Sequence, residues 1–157
     1  SPLRRSALRH GAIPALASAL GVDPVPALAR TAALCAEDDD ALIDRARELA
    51  DAARVAASRI AADTDPADSG TSVALAVAPL RGAPRAVRTR ALRKAAQAAG
   101  IRALSCAHID AVDDLVVAWR GQGPIHLPGG FASRVGRGER AQILLRAHPA
   151  GEDGRHS

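Results

Sequence analysis

A chain of 157 residues, 48% hydrophobic and 24% charged, is long enough to bury about 70% of its unfolded surface, which excludes a disordered chain and allows one domain or two small ones. Trp119 and Phe131 are the only aromatic rings besides the histidines, so single-stranded bases have no stacking platform and the core must come from closely packed Ala, Leu, Val and Ile. The net charge of +4 and a pI near 10.3 suit a nucleic-acid partner without requiring one; the skew to twenty arginines against the single Lys94 is what a GC-rich genome produces.

Apolar spacing predicts a first helix over residues 6–20, with Leu8, Ala12, Leu16 and Leu20 on one face. Pro14 falls inside it, where the missing donor forces a kink, and Gly21 marks its end. Asp23 and Pro24 restart the chain into a long second helix over 26–62. Its apolar positions are Leu28, Leu34, Leu42, Leu49, Val55 and Ile60, set among many alanines. Its outer face carries Glu37, Asp38, Asp39, Asp40, Asp44, Arg45, Arg47, Glu48 and Asp51. A helix of this length is expected to bend or break near the acidic cluster. Residues 63–72, DTDPADSGTS, read as a loop and as a domain boundary.

A short strand is predicted over 72–77, followed by Pro79. A third helix covers 84–99, with Gly100 as its stop, and Ser105 caps a fourth that ends at Trp119. In that helix Ile109, Val112, Leu115, Val116 and Trp119 form an apolar stripe, while Asp110, Asp113 and Asp114 are expected to face water. Beyond Gly121 and Gly123 the pattern turns to strands over 124–128, 131–135 and 141–147, separated by Gly-Gly and Gly-Arg-Gly turns. The tail over 149–157 is expected to be disordered. The fold class is therefore mainly α. A helical arm (1–63) and a loop (64–72) precede a small α+β module (73–148), in which two helices pack on a short antiparallel sheet.

Charge comes in blocks: +3 over residues 1–34, −6 over 35–70, +7 over 71–104, −3 over 105–119 and +3 beyond. Opposite neighbours can pair within the molecule, which competes with any external role. No Gly-rich phosphate loop, His-Glu-x-x-His or Cys-x-x-Cys is present, so no metal site and no catalytic residue is expected in this chain. Cys106 and His108 fall on different faces of the fourth helix and read as a buried thiol and a surface histidine. Cys35 and Cys106 are expected to be reduced. The acidic run 37–40 splays around its helix, unlike a calcium loop, and reads as a solvated face. With no signal peptide and no apolar run near 18 residues, the chain is expected to be soluble and cytoplasmic, with no membrane partner.

Two basic features remain as candidate phosphate contacts. Arg5 and Arg9, followed by His10, lie four apart near the N-terminus, a spacing that brings two guanidiniums to one anion. In RGAPRAVRTRALRK (81–94), Arg90, Arg93 and Lys94 share the outward side of the third helix and suit sequence-blind contact with a nucleic-acid backbone. Arg88 falls in the apolar arc and is expected to pair with an acid from another helix.

The phrases RRSALRHGAIPAL (4–16), ALARTAALCAEDDDAL (27–42), APRAVRTRALRKAAQAAG (83–100) and above all HIDAVDDLVVAWRGQGPIHLPGG (108–130) carry a family resemblance. Over residues 3–147 the order of features resembles the C-terminal half of bacterial tRNA(Ile)-lysidine synthase, especially its short actinobacterial form. The resemblance matches Arg5, Arg9 and His10 to an Arg-Asn-x-x-Arg-His motif; Ser6 stands where the family usually has Asn. It implies an ATP- and Mg²⁺-dependent ligase that adenylates the wobble cytidine of the CAU-anticodon isoleucine tRNA and lets lysine displace AMP. In that family the chemistry sits in an N-terminal ATP-pyrophosphatase domain with a Ser-Gly-Gly-x-Asp-Ser loop, and this chain has no such loop. The resemblance thus implies a tRNA-binding part, a fragment, a naturally split piece or a degenerate relative that binds no cofactor itself, has tRNA and the ATP-pyrophosphatase domain as partners, and leaves a homodimer open. The alternative is a stand-alone helical RNA-binding or protein-interaction module without catalytic activity.

Overall fold

The computed structural model describes residues 2–61 and 72–148. The expected 63–72 loop, Ser72 apart, and the tail from 149 lie outside them. The chain divides into two compact units, Ser1–Ala41 and Leu42–Ser157.

In the first unit, helix α1 (Pro2–Ala7) passes through a wide π turn (Leu8–Ala12) into α2 (Ile13–Leu20). Pro14 explains the wide turn. Its ring would strike the carbonyl four residues back, and it has no N–H to donate. The turn spaces the bonds by five residues, with the Ile13 N–H donating to the Leu8 carbonyl, and Pro14 then falls in the first turn of α2, where no donor is needed. Gly21 ends α2 in the left-handed region at φ 68°, as its sequence position suggested. Asp23 Oδ1 then accepts from the Val25 N–H at 3.0 Å and launches α3 (Val25–Ala61). The expected apolar face does not close: Leu8, Leu16 and Leu20 are all exposed.

Helix α3 runs unbroken past the acidic cluster, contrary to the expected break. Residues 27–61 contain neither Gly nor Pro and are rich in Ala. The carboxylates at 37–40 stay in water, and Arg47–Asp44 and Arg45–Glu48 pairs, at 2.6 and 3.2 Å, follow one turn later.

Within the second unit the buried face of α3 is only partly the predicted set: Leu42 and Leu49 are half-buried, Leu49 against the core, but neither is the best-covered position. Leu28 and Leu34, in the first unit, and Val55 are more than half exposed, whereas Ala46, Ala50, Ala53 and Ala57 are buried. Their 4-3-4 spacing makes one stripe, and small side chains let neighbouring elements approach closely. Ala46, Ala50 and Ala53 of this stripe share a core with Leu75, Leu80, Leu92, Leu115, Ile143 and Leu145.

Strand β1 (Ser72–Ala76) leads into α4 (Val77–Gly82), a short helix the sequence reading missed. Pro79 sits in the first turn of that helix, where its lost donor costs nothing. Helices α5 (Arg85–Ala98) and α6 (Cys106–Val117) follow, then β2 (Ile125–Leu127), β3 (Gly130–Val135) and β4 (Gln142–Ala147). The sheet is antiparallel throughout, in the order β1-β4-β3-β2. Leu75 faces Ile143 and Val73 faces Leu145, so β1 closes the module against its last strand. At the β2–β3 turn Gly130 is required: a Cβ there would lie 2.4 Å from the Arg146 carbonyl oxygen and 2.9 Å from Ile101. The chain is thus mainly helical, with a helical arm and a small α+β module carrying a short antiparallel sheet. No single described helix is long and apolar enough to cross a membrane.

Candidate nucleic-acid interface

The +7 block falls mainly on α5, and α6 supplies acids to meet it. Arg85 and Arg88, one turn apart, pair with Asp110 and Asp113, also one turn apart. The outer pair, Arg85 Nη2 to Asp110 Oδ1 at 2.6 Å, stands in water. The inner pair is buried and forked: Arg88 donates from Nε to Asp113 Oδ1 at 2.5 Å and from Nη2 to Oδ2 at 3.0 Å. Its Nη1 donates to the Ala83 carbonyl at 2.7 Å. Hydrogen bonding to Asp113 raises the Arg88 pKa against the opposing effect of burial. Asp113, expected in water, is therefore a correction: its place in the apolar arc is occupied because Arg88 enters that arc from α5.

Of the outward trio, only Lys94 is exposed. Arg90 is half-buried and donates to the Ala86 carbonyl of its own helix at 3.0 Å. Arg93 is also half-buried, and its Nη1 donates to the Leu104 carbonyl at 2.7 Å. That bond holds a tight connection in which Gly100 takes φ 88° and Ala103 takes φ 58°. Arg93 thus has a duty in the fold that the helical wheel could not reveal.

Ser105 caps α6 as predicted, but its partner is unusual. Ser105 Oγ accepts from the His108 N–H at 3.2 Å, and His108 Nδ1 accepts from the Ser105 N–H at 3.1 Å, a capping box with His in the usual place of Glu. The expected burial is reversed as a result: His108 is half-buried in the cap and Cys106, in the first turn, is exposed. Cys35 is exposed too.

Helix α6 ends at Val117, short of the predicted Trp119. The indole packs partly buried against the core, with the Arg134 guanidinium 4.9 Å from its ring centroid. Gly121 takes φ 88°, which its turn requires, while Gly123 has an ordinary backbone and open space around it. Between them the Gln122 side chain accepts from the Arg120 N–H at 2.6 Å, and Asp114, Ala118, Arg120, Gly121 and Gln122 line a shallow hollow.

Sequence reasoning missed Arg81 and Arg134. Arg81 donates from Nη2 to the Val116 carbonyl at 3.2 Å, and Arg134 donates from Nη1 to Leu115 at 2.8 Å and to Val116 at 3.3 Å. Both serve the open carbonyls at the C-terminal end of α6, where cations are favoured. They lie 53 residues apart in the sequence, on α4 and β3, and only the fold brings them together. Burial, and then the charge of Arg81, push the Arg134 pKa down.

Arg5, Arg9 and His10 are all exposed, with Arg9 and His10 inside the wide turn of the first unit. Because Arg9 sits where the helical period widens, the regular four-residue alignment with Arg5 does not carry across. Among the described residues no group of three or more His, Cys, Asp or Glu side chains could hold a metal ion.

Residues 75–139, from the end of β1 past β3, match the family described as the TilS substrate binding domain. The tRNA(Ile)-lysidine synthase of Thermobifida fusca is 42% identical over 145 residues, covering 91% of this chain and 39% of that enzyme. The Streptomyces coelicolor enzyme of the same name is 44% identical over 132 residues, 83% of this chain and 33% of its own length. That of Rhodococcus erythropolis is 37% identical over 143 residues, 90% and 39% respectively. The chain therefore spans between one third and two fifths of the length of these curated relatives. No solved structure matches it.

Proposed function

We propose that this chain, which matches the C-terminal region of tRNA(Ile)-lysidine synthases along most of its length, is the tRNA-binding part of such an enzyme. The observation that carries the reading is the substrate-binding-domain match over residues 75–139, the stretch that holds α5, α6 and the paired strands β2 and β3. The reaction is ligation of lysine to the wobble cytidine of the CAU-anticodon isoleucine tRNA in the cytoplasm. ATP and Mg²⁺ would be handled by an ATP-pyrophosphatase domain: the described residues offer no metal-ligand cluster, and the sequence has no Ser-Gly-Gly-x-Asp-Ser loop. The role of this chain is to hold and orient the RNA, and sedimentation equilibrium distinguishes a monomer from a homodimer in that role.

The contacts proposed are electrostatic. Lys94 is the most accessible of the α5 trio, with Arg90 and Arg93 beside it, and Arg5, Arg9 and His10 form a second group in the first unit. Filter binding of the chain to CAU-anticodon isoleucine tRNA is the test. The expected result is retention that weakens steeply with salt, and lysidine formation once a separately expressed ATP-pyrophosphatase domain is added. Failure to retain the tRNA at low salt refutes the reading.

A further inference from the structure

Among the described residues of the second unit, Arg45, Arg47, Arg54, Arg85 and Arg88 pair with carboxylates. Arg81 and Arg134 do the opposite. They are brought against the same oxygen, the Val116 carbonyl, and against each other. The C-terminal end of α6 offsets about half a unit of charge, against two positive guanidiniums, so a net positive charge remains. Arg134 Nε and the adjoining Trp119 Nε1 are buried donors with no partner among the described residues. Holding two cations together, one of them desolvated, is unfavourable until an anion joins them.

We propose that Arg81 and Arg134 form a clamp for one nucleic-acid backbone phosphate beside the C-terminal end of α6. The inference rests on the tRNA-binding reading and adds a contact outside the α5 face. The Val116 carbonyl takes Arg81 Nε and Nη2, and the Leu115 and Val116 carbonyls take Arg134 Nη1, which leaves Arg81 Nη1 and Arg134 Nη2 for the phosphate oxygens. Arg134 is also locked against the indole, so little side-chain freedom is lost on binding.

Trp119 supplies the assay, because it is the only tryptophan and lies against Arg134. The first arm titrates the chain with inorganic phosphate at constant ionic strength and follows Trp119 emission. A saturable change is expected. Arg81→Gln, which leaves Arg134 on the indole, should weaken it about tenfold or more. The second arm measures tRNA binding against salt: Arg81→Gln and Arg134→Gln should each lower the slope by about one unit, and Arg134→Lys should restore it. Arg85→Gln, whose side chain is already paired with Asp110, should change neither arm. Thermal melts of each variant separate loss of binding from loss of fold. Phosphate titrations that match in the wild type and Arg81→Gln overturn the clamp. So does tRNA binding with an undiminished slope in both Gln variants, which leaves the tRNA-binding reading standing. A phosphate response without any tRNA retention overturns that reading and leaves an anion site.

Discussion

Asp113→Asn probes the joint between α5 and α6. The substitution keeps the shape of the side chain but removes the charge that Arg88 needs, and it turns an amide donor toward a guanidinium that only donates. Arg88 and Asp113 are 7% and 4% exposed, so water cannot replace what is lost. Removing one partner of a buried pair costs about 3–5 kcal/mol, a large part of the ~5–15 kcal/mol that holds a domain together. With a urea slope of roughly 2 kcal/mol per molar, the midpoint should fall by about 2 M. The molecule carries its own control one turn away. Arg85 and Asp110 form a pair whose side chains are 65% and 52% exposed, and Asp110→Asn should cost under about 1 kcal/mol. Replacing both buried partners, as Arg88→Met with Asp113→Ala, should recover most of the loss, because no charge is then stranded. Urea melts followed by helical circular dichroism measure all three. If Asp113→Asn and Asp110→Asn cost the same, burial is not what makes the inner pair matter.

Trp119→Ala should destabilise the second unit by about 2 kcal/mol, below the ~3–5 of a fully buried ring, since the indole is only partly covered. Gly130→Ala should cost roughly 1–3 kcal/mol in the same melts, because its Cβ meets a backbone carbonyl that cannot rotate away. Gly121→Ala should be strained by its φ of 88° while Gly123→Ala is tolerated; equal losses would show that the turn relaxes. Replacing Arg90, Arg93 and Lys94 together with Gln should lower the tRNA salt slope by about three units, and Arg93→Gln alone should also lower stability by freeing the Leu104 carbonyl.

Where local chemistry decides an element, the sequence was a sound guide. The Gly21 stop, the Ser105 cap and the three C-terminal strands follow from residues that act on their immediate neighbours. Where packing decides, it was not. Leucine marks an apolar position on a wheel, but which face of α3 is covered depends on how closely other elements approach, and close approach selects alanine instead. Pro79 and Pro14 show a third limit. A proline signals a break only if its N–H was needed, and at both sites the helix start is placed so that it is not. Asp113 looked solvated because its neighbours Asp110 and Asp114 are, and nothing within α6 indicates that Arg88 will reach it.

The same distinction governs which arginines are available to RNA. Charge counting over residues 71–104 yields +7 and suggests a strongly basic face. The fold spends much of it. Arg85 and Arg88 go to carboxylates on α6, Arg93 goes to the Leu104 carbonyl, and Arg81 joins Arg134 at the end of α6. A guanidinium bonded to a carbonyl keeps its charge, whereas one paired with a carboxylate has it cancelled nearby, so these uses are not equivalent for an anion approaching from outside. The carbonyl-bound arginines Arg81, Arg93 and Arg134 still project positive potential, and Arg85 and Arg88 do not. The salt dependence of tRNA binding should therefore fall on substitution of the first group and stay unchanged on substitution of Arg85, although all these side chains look alike in the sequence.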